Sequence, residues 1–453
     1  MARSVVIVGA GITGLAAAHH LASMTTDDVA ITVLEAADQL GGKIRTSAFA
    51  GRSAVDEGPD AFLVRTPFAI DLARSVGLAD RIVAPTGASA AIWFEKLRPI
   101  PDGVLLGVPT SLMAVARSGL LSPIGMARAG VDLVRPRSST EHDSIGRWVR
   151  ERFGAQVHDR LVDALVGSIY GADTDRFSLD AVPQLASLVA QGRSALVSGR
   201  AMRSAATSVD GPIFGAPVGG LGELVAAIAD HIDRHHGDRV SIRTNHPVTC
   251  IASDGQRWWV DDTAVDAVIL AVPSHDAASM VGGALGSELQ KMEAADVAMV
   301  TLAVPASTWP AHAKGRSGYL VPKSQQRLVT AVSFASQKWA HLDDGNSVVL
   351  RVSLGRDGLG VLHLDDETLI AAASEEVGRH LGVDLAPTAS RLTRWPRAFT
   401  QYRPHHHRLV DHLDTLTGDG LALAGASYRG IGIPACVADG RRAAERVASH
   451  LKD

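Results

Sequence analysis

The first 45 residues constrain this chain more than any other stretch. An apolar run, Val5–Val8, leads into Gly9-Ala10-Gly11-Ile12-Thr13-Gly14; a helix-like stretch follows from Leu15 to Ala22, and a second apolar strand, Ile31–Leu34, ends at Glu35. A GxGxxG segment has a mechanical meaning only when a strand precedes it, a helix follows it and an acid closes the second strand. All three conditions hold. Gly9 permits the tight turn, Gly11 lets backbone approach a pyrophosphate, and Gly14 lets helix and strand pack closely. The helix start presents N–H groups and partial positive charge to the phosphates. Glu35 is placed to accept hydrogen bonds from ribose hydroxyls, and its charge argues against a 2′-phosphate. The expectation is a Rossmann-like α/β domain that binds a dinucleotide.

The rest of the composition narrows the partners. With 453 residues, 46% hydrophobic and 20% charged, the chain is long enough for two or three domains with substantial cores. A net charge of −4 offers no basic field, so nucleic acid is not an expected partner. Cys250 and Cys436 stand far apart without a CxxC, which supports neither a disulfide framework nor a structural zinc site. The N-terminal apolar run lacks a charged region before it and a cleavage site after it, so it reads as a strand rather than a signal peptide, and a cytoplasmic protein is expected. Pro99–Ala116 is the most membrane-like stretch, but Asp102, three prolines and two glycines interrupt it. It does not read as a transmembrane segment, which leaves lining an apolar pocket or peripheral membrane contact.

Further along, residues 89–173 show helical runs separated by Gly, Pro and Ser, and read as a mainly helical insertion. A glycine turn at Gly219-Gly220-Leu221-Gly222 opens an amphipathic helix ending near Asp233. Strands are expected at Val240–Arg243, Pro247–Ile251, Trp258–Val260 and Ala267–Pro273. Another set, at Met299–Val304, Gly318–Val321, Leu328–Phe334 and Ser347–Leu354, would build a separate sheet. The end returns to strand, glycine turn and helix: Leu421–Gly425, then Ile431-Gly432-Ile433, then a helix from about Ala435 to Leu451. The nucleotide domain is therefore expected to draw strands from the beginning, middle and end of the chain. The histidines at 405, 406 and 407 do not suggest a metal site, because consecutive residues of an extended segment point to alternate sides.

Asp38-Gln39-Leu40-Gly41-Gly42-Lys43-Ile44-Arg45-Thr46 resembles the glycine-rich segment of amine-oxidase-like flavoproteins, which makes FAD the expected cofactor. A more specific resemblance runs through nearly the whole chain. It covers Asp56-Glu57-Gly58-Pro59-Asp60-Ala61-Phe62, Gly167-Ser168-Ile169-Tyr170-Gly171-Ala172-Asp173, Gly318–Pro322, Phe334–Trp339, Gln401-Tyr402 and Leu423–Pro434. These residues resemble the protoporphyrinogen/coproporphyrinogen oxidase family, soluble bacterial branch. The resemblance implies an FAD-binding domain of the amine-oxidase-like type at 1–85, 210–275 and 415–453. It also implies a mixed-sheet substrate domain at 174–209 and 276–414 and a helical domain at 86–173. The implied reaction is an oxygen-dependent, six-electron oxidation of a porphyrinogen to a porphyrin with release of hydrogen peroxide. FAD would be met by Gly9, Ala10, Gly11, Ile12, Thr13, Gly14, Glu35, Ala36, Gly42, Lys43, Gly58, Pro59, Asp60, Ala61, Val248, Ile431, Gly432 and Ile433, with Val248 reaching the adenine through its backbone.

Two departures stand out. Ser168 occupies a position where the family has a glycine beside the substrate, and the family's aromatic residue downstream of Gln401-Tyr402 has no match at His405–His407. The substrate's propionates call for cations, since Arg offers carboxylates a planar fork; Lys96, Arg98, Arg176 and Arg193 are the candidates. Arg98, Ser168 and Tyr170 are the expected substrate residues. No catalytic base and no metal are assigned. The Gly107-Val108-Pro109-Thr110 loop resembles the coproporphyrinogen III branch, which would use a coproporphyrinogen and oxygen, with a ferrochelatase-type enzyme as a downstream partner. Protoporphyrinogen IX oxidation is the alternative within the family. More distant readings are a flavin amine oxidase, for which 4% aromatic residues offer little material for an amine cage, and a non-catalytic porphyrin carrier.

Overall fold

The computed structural model describes residues 3–136, 144–191, 194–206 and 211–452. They fall into two compact units: 1–84 with 212–293 and 407–453, and 85–211 with 294–406.

The first unit is built on a five-stranded parallel sheet. Its order is Val240–Arg243, β2 (Val29–Leu34), β1 (Arg3–Val8), Ala267–Leu270 and Leu421–Leu423. Parallel strands are covered on both faces, and Val5–Val8 and Ala267–Leu270 are accordingly buried without alternation. Helix α1 (Ile12–Met24), Leu221–His236 and the last helix, Ile433–His450, pack on the sheet. The last helix crosses α1 where a Cβ on Gly440 would lie 2.4 Å from the Thr13 carbonyl oxygen, so only glycine allows that approach.

The expected boundaries of this unit shift. Residues 276–293 and 407–414, read as part of the substrate domain, belong here. Leu285, Leu289, Val410 and Leu413 share one hydrophobic core with Val6 and Val8 of β1. The strand expected over Pro247–Ile251 begins only at Ile251, because the Thr249 and Cys250 N–H groups bond the Asp261 carboxylate instead of a neighbouring strand.

The second unit holds a seven-stranded mixed sheet. Its strands in chain order are β3 (Ser89–Phe94), β4 (Lys96–Pro99), β5 (Ala294–Pro305), β6 (Arg316–Leu320), β7 (Val329–Phe334), β8 (Ser347–Leu354) and β9 (Ala389–Thr400). The spatial order is β9-β5-β8-β7-β6-β3-β4. β6 and β3 are parallel and the other pairs antiparallel. Helix α2 (Asp366–Leu381) covers one face, where Leu369, Ala373 and Val377 meet Val300, Leu302, Val332, Leu350 and Val352. Residues 89–99 are thus strands rather than the start of the helical run: Ala91, Ile92 and Trp93 are buried in the sheet. Helices do dominate from Leu112 to Tyr170. His406 and His407 open a helix, His406–Leu416, where an extended loop was expected. Among the described residues no helix is long and apolar enough to cross a membrane.

Candidate functional site

In the first unit, β1 ends at Val8 and the chain turns through Gly9 at φ +98°, a conformation that costs glycine nothing. A Cβ on Gly9 would lie 2.8 Å from the Ala271 carbonyl oxygen, and one on Gly14 would lie 1.9 Å from that of Gly9. Those two glycines serve packing. Gly11 differs, because a Cβ there would meet nothing nearer than the Gly41 oxygen at 4.0 Å. Gly11 caps α1 without a side-chain hydrogen bond, and no acid occupies the first turn. The amides at the start of α1 therefore open onto an uncrowded backbone face, as an anionic phosphate requires. Gly41 donates its N–H to the Ala10 carbonyl at 2.9 Å, and a Cβ on Gly42 would stand 3.4 Å from Gly11 Cα, so Gly42 and Lys43 run along one side of this face.

Glu35 is held beside the turn. Its carboxylate accepts the Ala10 N–H at 2.7 Å and the Ala37 N–H at 3.0 Å. A carboxylate has about four lone-pair sites, so capacity remains for hydroxyl donors. His246 N–H bonds to the Glu35 carbonyl at 2.8 Å and Asn245 N–H to that of Ala37 at 2.9 Å, which brings the segment leading to the buried Val248 alongside Glu35 and Ala36.

The Gly58-Pro59-Asp60-Ala61 loop leaves a fixed point. Asp56 accepts the Leu221 N–H at 2.9 Å and the Thr46 hydroxyl at 2.5 Å, and Thr46 in turn accepts the Gly222 N–H at 2.8 Å. Together they cap the helix Leu221–His236. At the other end of the chain, Gly432 caps the last helix without a side-chain bond, and Ile433 and Pro434 open it. The Thr13 side chain of α1 bonds the Cys436 thiol, which burial pushes up to about 11. With the contact at Gly440, this ties the starts of the two helices together, so Ile12–Gly14 and Ile431–Ile433 share one region.

In the second unit, Ser168 and Tyr170 follow a ten-residue π-helical run, His158–Gly167. Such wide turns are uncommon and often mark functional positions. Buried Asp163 organises this one. It takes the Arg356 guanidinium through both oxygens, at 2.7 and 3.1 Å, together with the Lys323 N–H at 2.8 Å and the Thr174 hydroxyl at 3.1 Å. Burial by itself would raise the Asp163 carboxyl, but the Arg356 charge and these donors hold it below the ordinary carboxylate value. Arg356 also bonds the Ala172 carbonyl. Gln401 donates to the carbonyls of Tyr170 and Gly171 at 3.4 and 3.3 Å, and Asp357 N–H to that of Gly171 at 2.8 Å. The Ser168–Ala172 segment is therefore fixed by residues distant in sequence, Arg356, Asp357 and Gln401. None of Asp163, Arg356 and Asp357 was singled out by sequence reasoning, and Gln401 was noted without a role. Ser168 donates its hydroxyl to the Thr330 carbonyl at 3.1 Å. Tyr170 packs on Phe177 with ring centroids 5.1 Å apart, and burial raises its phenol, which stays protonated at neutral pH.

The candidate cations differ in circumstance. Arg98 donates to the carbonyls of Phe94 and Gly119, at 3.2 and 2.9 Å. Arg176 reaches Asp357 at 3.5 Å, and Asp357 also takes Arg403 through both oxygens. Lys96 is exposed on β4. Arg193 lies outside the described residues.

The comparisons with known proteins extend over the same residues. The family described as flavin containing amine oxidoreductase matches residues 12–448. The coproporphyrinogen III oxidase of Mycobacterium bovis is 33% identical, with 99% of this chain and 98% of that protein covered. The coproporphyrinogen III oxidase of Bacillus subtilis is 29% identical at the same coverage. A solved structure from Exiguobacterium sp. 255-15, provisionally assigned as a protoporphyrinogen oxidase, superposes with a TM-score of 0.87 at 26% identity, covering 100% of both chains. Cyclohexylamine oxidase from Brevibacterium oxydans shares the fold, with a TM-score of 0.67 at 20% identity over 100% of both chains.

Proposed function

This chain belongs to the flavin-containing amine oxidoreductase family, and within it, we propose, it is an FAD-dependent enzyme that oxidises coproporphyrinogen III to coproporphyrin III. The substrate loses six electrons and six hydrogens, and three molecules of oxygen become three of hydrogen peroxide. The observation that carries the reading is the likeness to coproporphyrinogen III oxidases over 99% of the chain, which takes in the helical and sheet segments as well as the nucleotide fold.

The residues present fit FAD. The open face at Gly11, the uncapped starts of α1 and the last helix, and the Glu35 carboxylate are what a dinucleotide with an acidic pyrophosphate requires. In this reading Gly9–Gly14, Gly42 and Lys43 hold the pyrophosphate, Glu35, Ala36 and Val248 the adenosine end, and Gly58–Ala61 and Ile431–Ile433 the flavin end. When bound, FAD supplies a two-electron acceptor that oxygen can restore. The chain's own task is positioning. Asp163, Arg356 and Gln401 hold Ser168 and Tyr170 in one conformation, Tyr170 keeps its proton, and Arg98 is the candidate cation for a carboxylate. The enzyme would act in the cytoplasm and pass its porphyrin to a ferrochelatase-type partner.

The test follows porphyrin fluorescence in air, with FAD-loaded protein and either coproporphyrinogen III or protoporphyrinogen IX, corrected for autoxidation. Faster turnover of the first, with peroxide appearing, is expected. Preference for the second would favour the alternative suggested by the chloroplastic protoporphyrinogen oxidase 1 of Arabidopsis thaliana, 25% identical over 95% of this chain. Turnover of neither would refute both.

A further inference from the structure

We infer that His158 is a positioning residue for the reaction, an imidazolium whose two N–H groups fix the Ser168–Ala172 segment through Thr174 and Asp163; the inference rests on the porphyrinogen reading above. His158 opens the π-helical run and is 3% exposed. Its Nε2 lies 2.8 Å from the hydroxyl of fully buried Thr174, and its Nδ1 lies 2.6 Å from the Asp159 carboxylate. The partners decide where the ring protons sit. The Thr174 hydroxyl has one proton, which it gives to Asp163 at 3.1 Å. Toward the ring it can only accept, so Nε2 carries a proton. A carboxylate accepts only, so Nδ1 carries one too. A ring with both is a cation.

The charges around the ring call for that cation. Asp175 stands 3.8 Å from Nε2, and Arg150 of the helix Ile145–Phe153 bonds Asp159 at 3.4 Å and Asp175 at 3.0 Å. Gly146 of the same helix lies against the ring, where a Cβ would come within 2.9 Å of Nε2. Beyond Thr174, Asp163 takes the Arg356 guanidinium, while Lys323 Nζ is occupied by Asp173 at 2.7 Å. The carboxylates of Asp159, Asp163 and Asp175 thus face the guanidiniums of Arg150 and Arg356, and the imidazolium is the third cation that balances them. Buried charge is tolerated only when paired and hydrogen-bonded, so removing one ring proton unsettles the whole chain. Both ends of that chain fall on the segment expected to meet substrate. Thr174 follows it in sequence, and Arg356 returns to it at the Ala172 carbonyl. His158 therefore acts on Ser168 and Tyr170 through its partners.

The test compares His158→Gln, Thr174→Val, Thr174→Ser and the double variant His158→Gln/Thr174→Val, each checked for bound FAD by its absorbance. His158→Gln and Thr174→Val should each raise KM for coproporphyrinogen III about tenfold while keeping most of kcat. Thr174→Ser retains the hydroxyl and should keep the wild-type KM. Because both residues work through one chain, the double variant should be no worse than either single one. KM within about twofold of wild type in both single variants, or effects that multiply in the double, would overturn the inference. Nitrogen-15 histidine NMR of the wild-type protein at pH 7.5 should show His158, identified by its shift in Thr174→Ser, with both ring nitrogens protonated. A neutral His158 ring would overturn the inference even where His158→Gln or Thr174→Val fails to load FAD. A wild-type protein inert toward porphyrinogens, with that ring doubly protonated, would instead remove the reading on which the inference rests.

Discussion

Gly11 and Gly14 lie three residues apart in one motif, yet the structure gives them opposite reasons for being glycine, and alanine at each should fail differently. At Gly14 the added methyl would sit 1.9 Å from the Gly9 carbonyl oxygen. Ordinary contact needs about 1.5 Å more, so α1 must back away from β1, at an overpacking cost of about 1–3 kcal/mol. The same movement pulls the first amides of α1 off the pyrophosphate. Losing two charge-assisted hydrogen bonds at about 1.5 kcal/mol each weakens FAD binding by about 10²-fold. At Gly11 the methyl meets no protein atom closer than 4.0 Å. Gly11→Ala should leave the stability of the apoprotein near wild type but place a methyl where the phosphate backbone must pass, again weakening FAD by about 10²-fold. The assay is thermal unfolding of the apoproteins, paired with FAD titration by flavin fluorescence. A Gly11→Ala apoprotein as unstable as Gly14→Ala, or a Gly11→Ala protein binding FAD as wild type does, would refute the assignment of the open face to the cofactor.

Other expectations concern the second unit and the thiols. Asp163→Ala strands the Arg356 charge in the interior and should cost about 3–5 kcal/mol in urea unfolding of the second unit's transition; Arg356→Met added to it should recover part of the loss. His380, pushed down to about 3 by burial and by the nearby charges of Arg379 and Arg327, is neutral in the fold. The unfolded chain binds its proton below about pH 6.5, so stability is full above that pH and falls as pH drops toward 3. At pH 5 the loss is about 2 kcal/mol, and it should be absent in His380→Gln when urea midpoints are compared at pH 7.5 and 5. Cys436, buried and pushed up to about 11, should resist thiol reagents at pH 8 while exposed Cys250 reacts, giving one modified thiol in the native protein and two after unfolding.

What the sequence disclosed was local. The strand, glycine turn, helix and acid of residues 5–35 form one contiguous unit whose chemistry depends on spacing alone, and the structure builds it over those residues. The strands β5, β7 and β8 were legible because they are apolar runs. β9 was not, since Arg391, Arg394, Trp395, Pro396 and Arg397 give it no apolar alternation. Its pairing along β5 supplies what its own residues lack. β3 and β4 were read into the helical insertion because a short hairpin beside helical runs shows little alternation of its own until its parallel neighbour, β6, is present. The partners of Asp163 were illegible for a related reason. Arg356 is 193 residues away, and nothing in either local sequence distinguishes that pair from surface charges.

The chain's order along its length also sets a schedule for its synthesis. The first unit opens with β1 and cannot complete its sheet until Leu421–Leu423 is made, nor its second helix start until Ile433 follows. The unit carried by 85–211 and 294–406 is finished earlier. Domains fold as they emerge, so the nucleotide fold that begins first is completed last. A nascent chain that stops short of its final helix would carry a folded second unit and half of a dinucleotide cradle, unable to retain flavin. Flavin retention therefore reports on whether synthesis has passed the helix Ile433–His450.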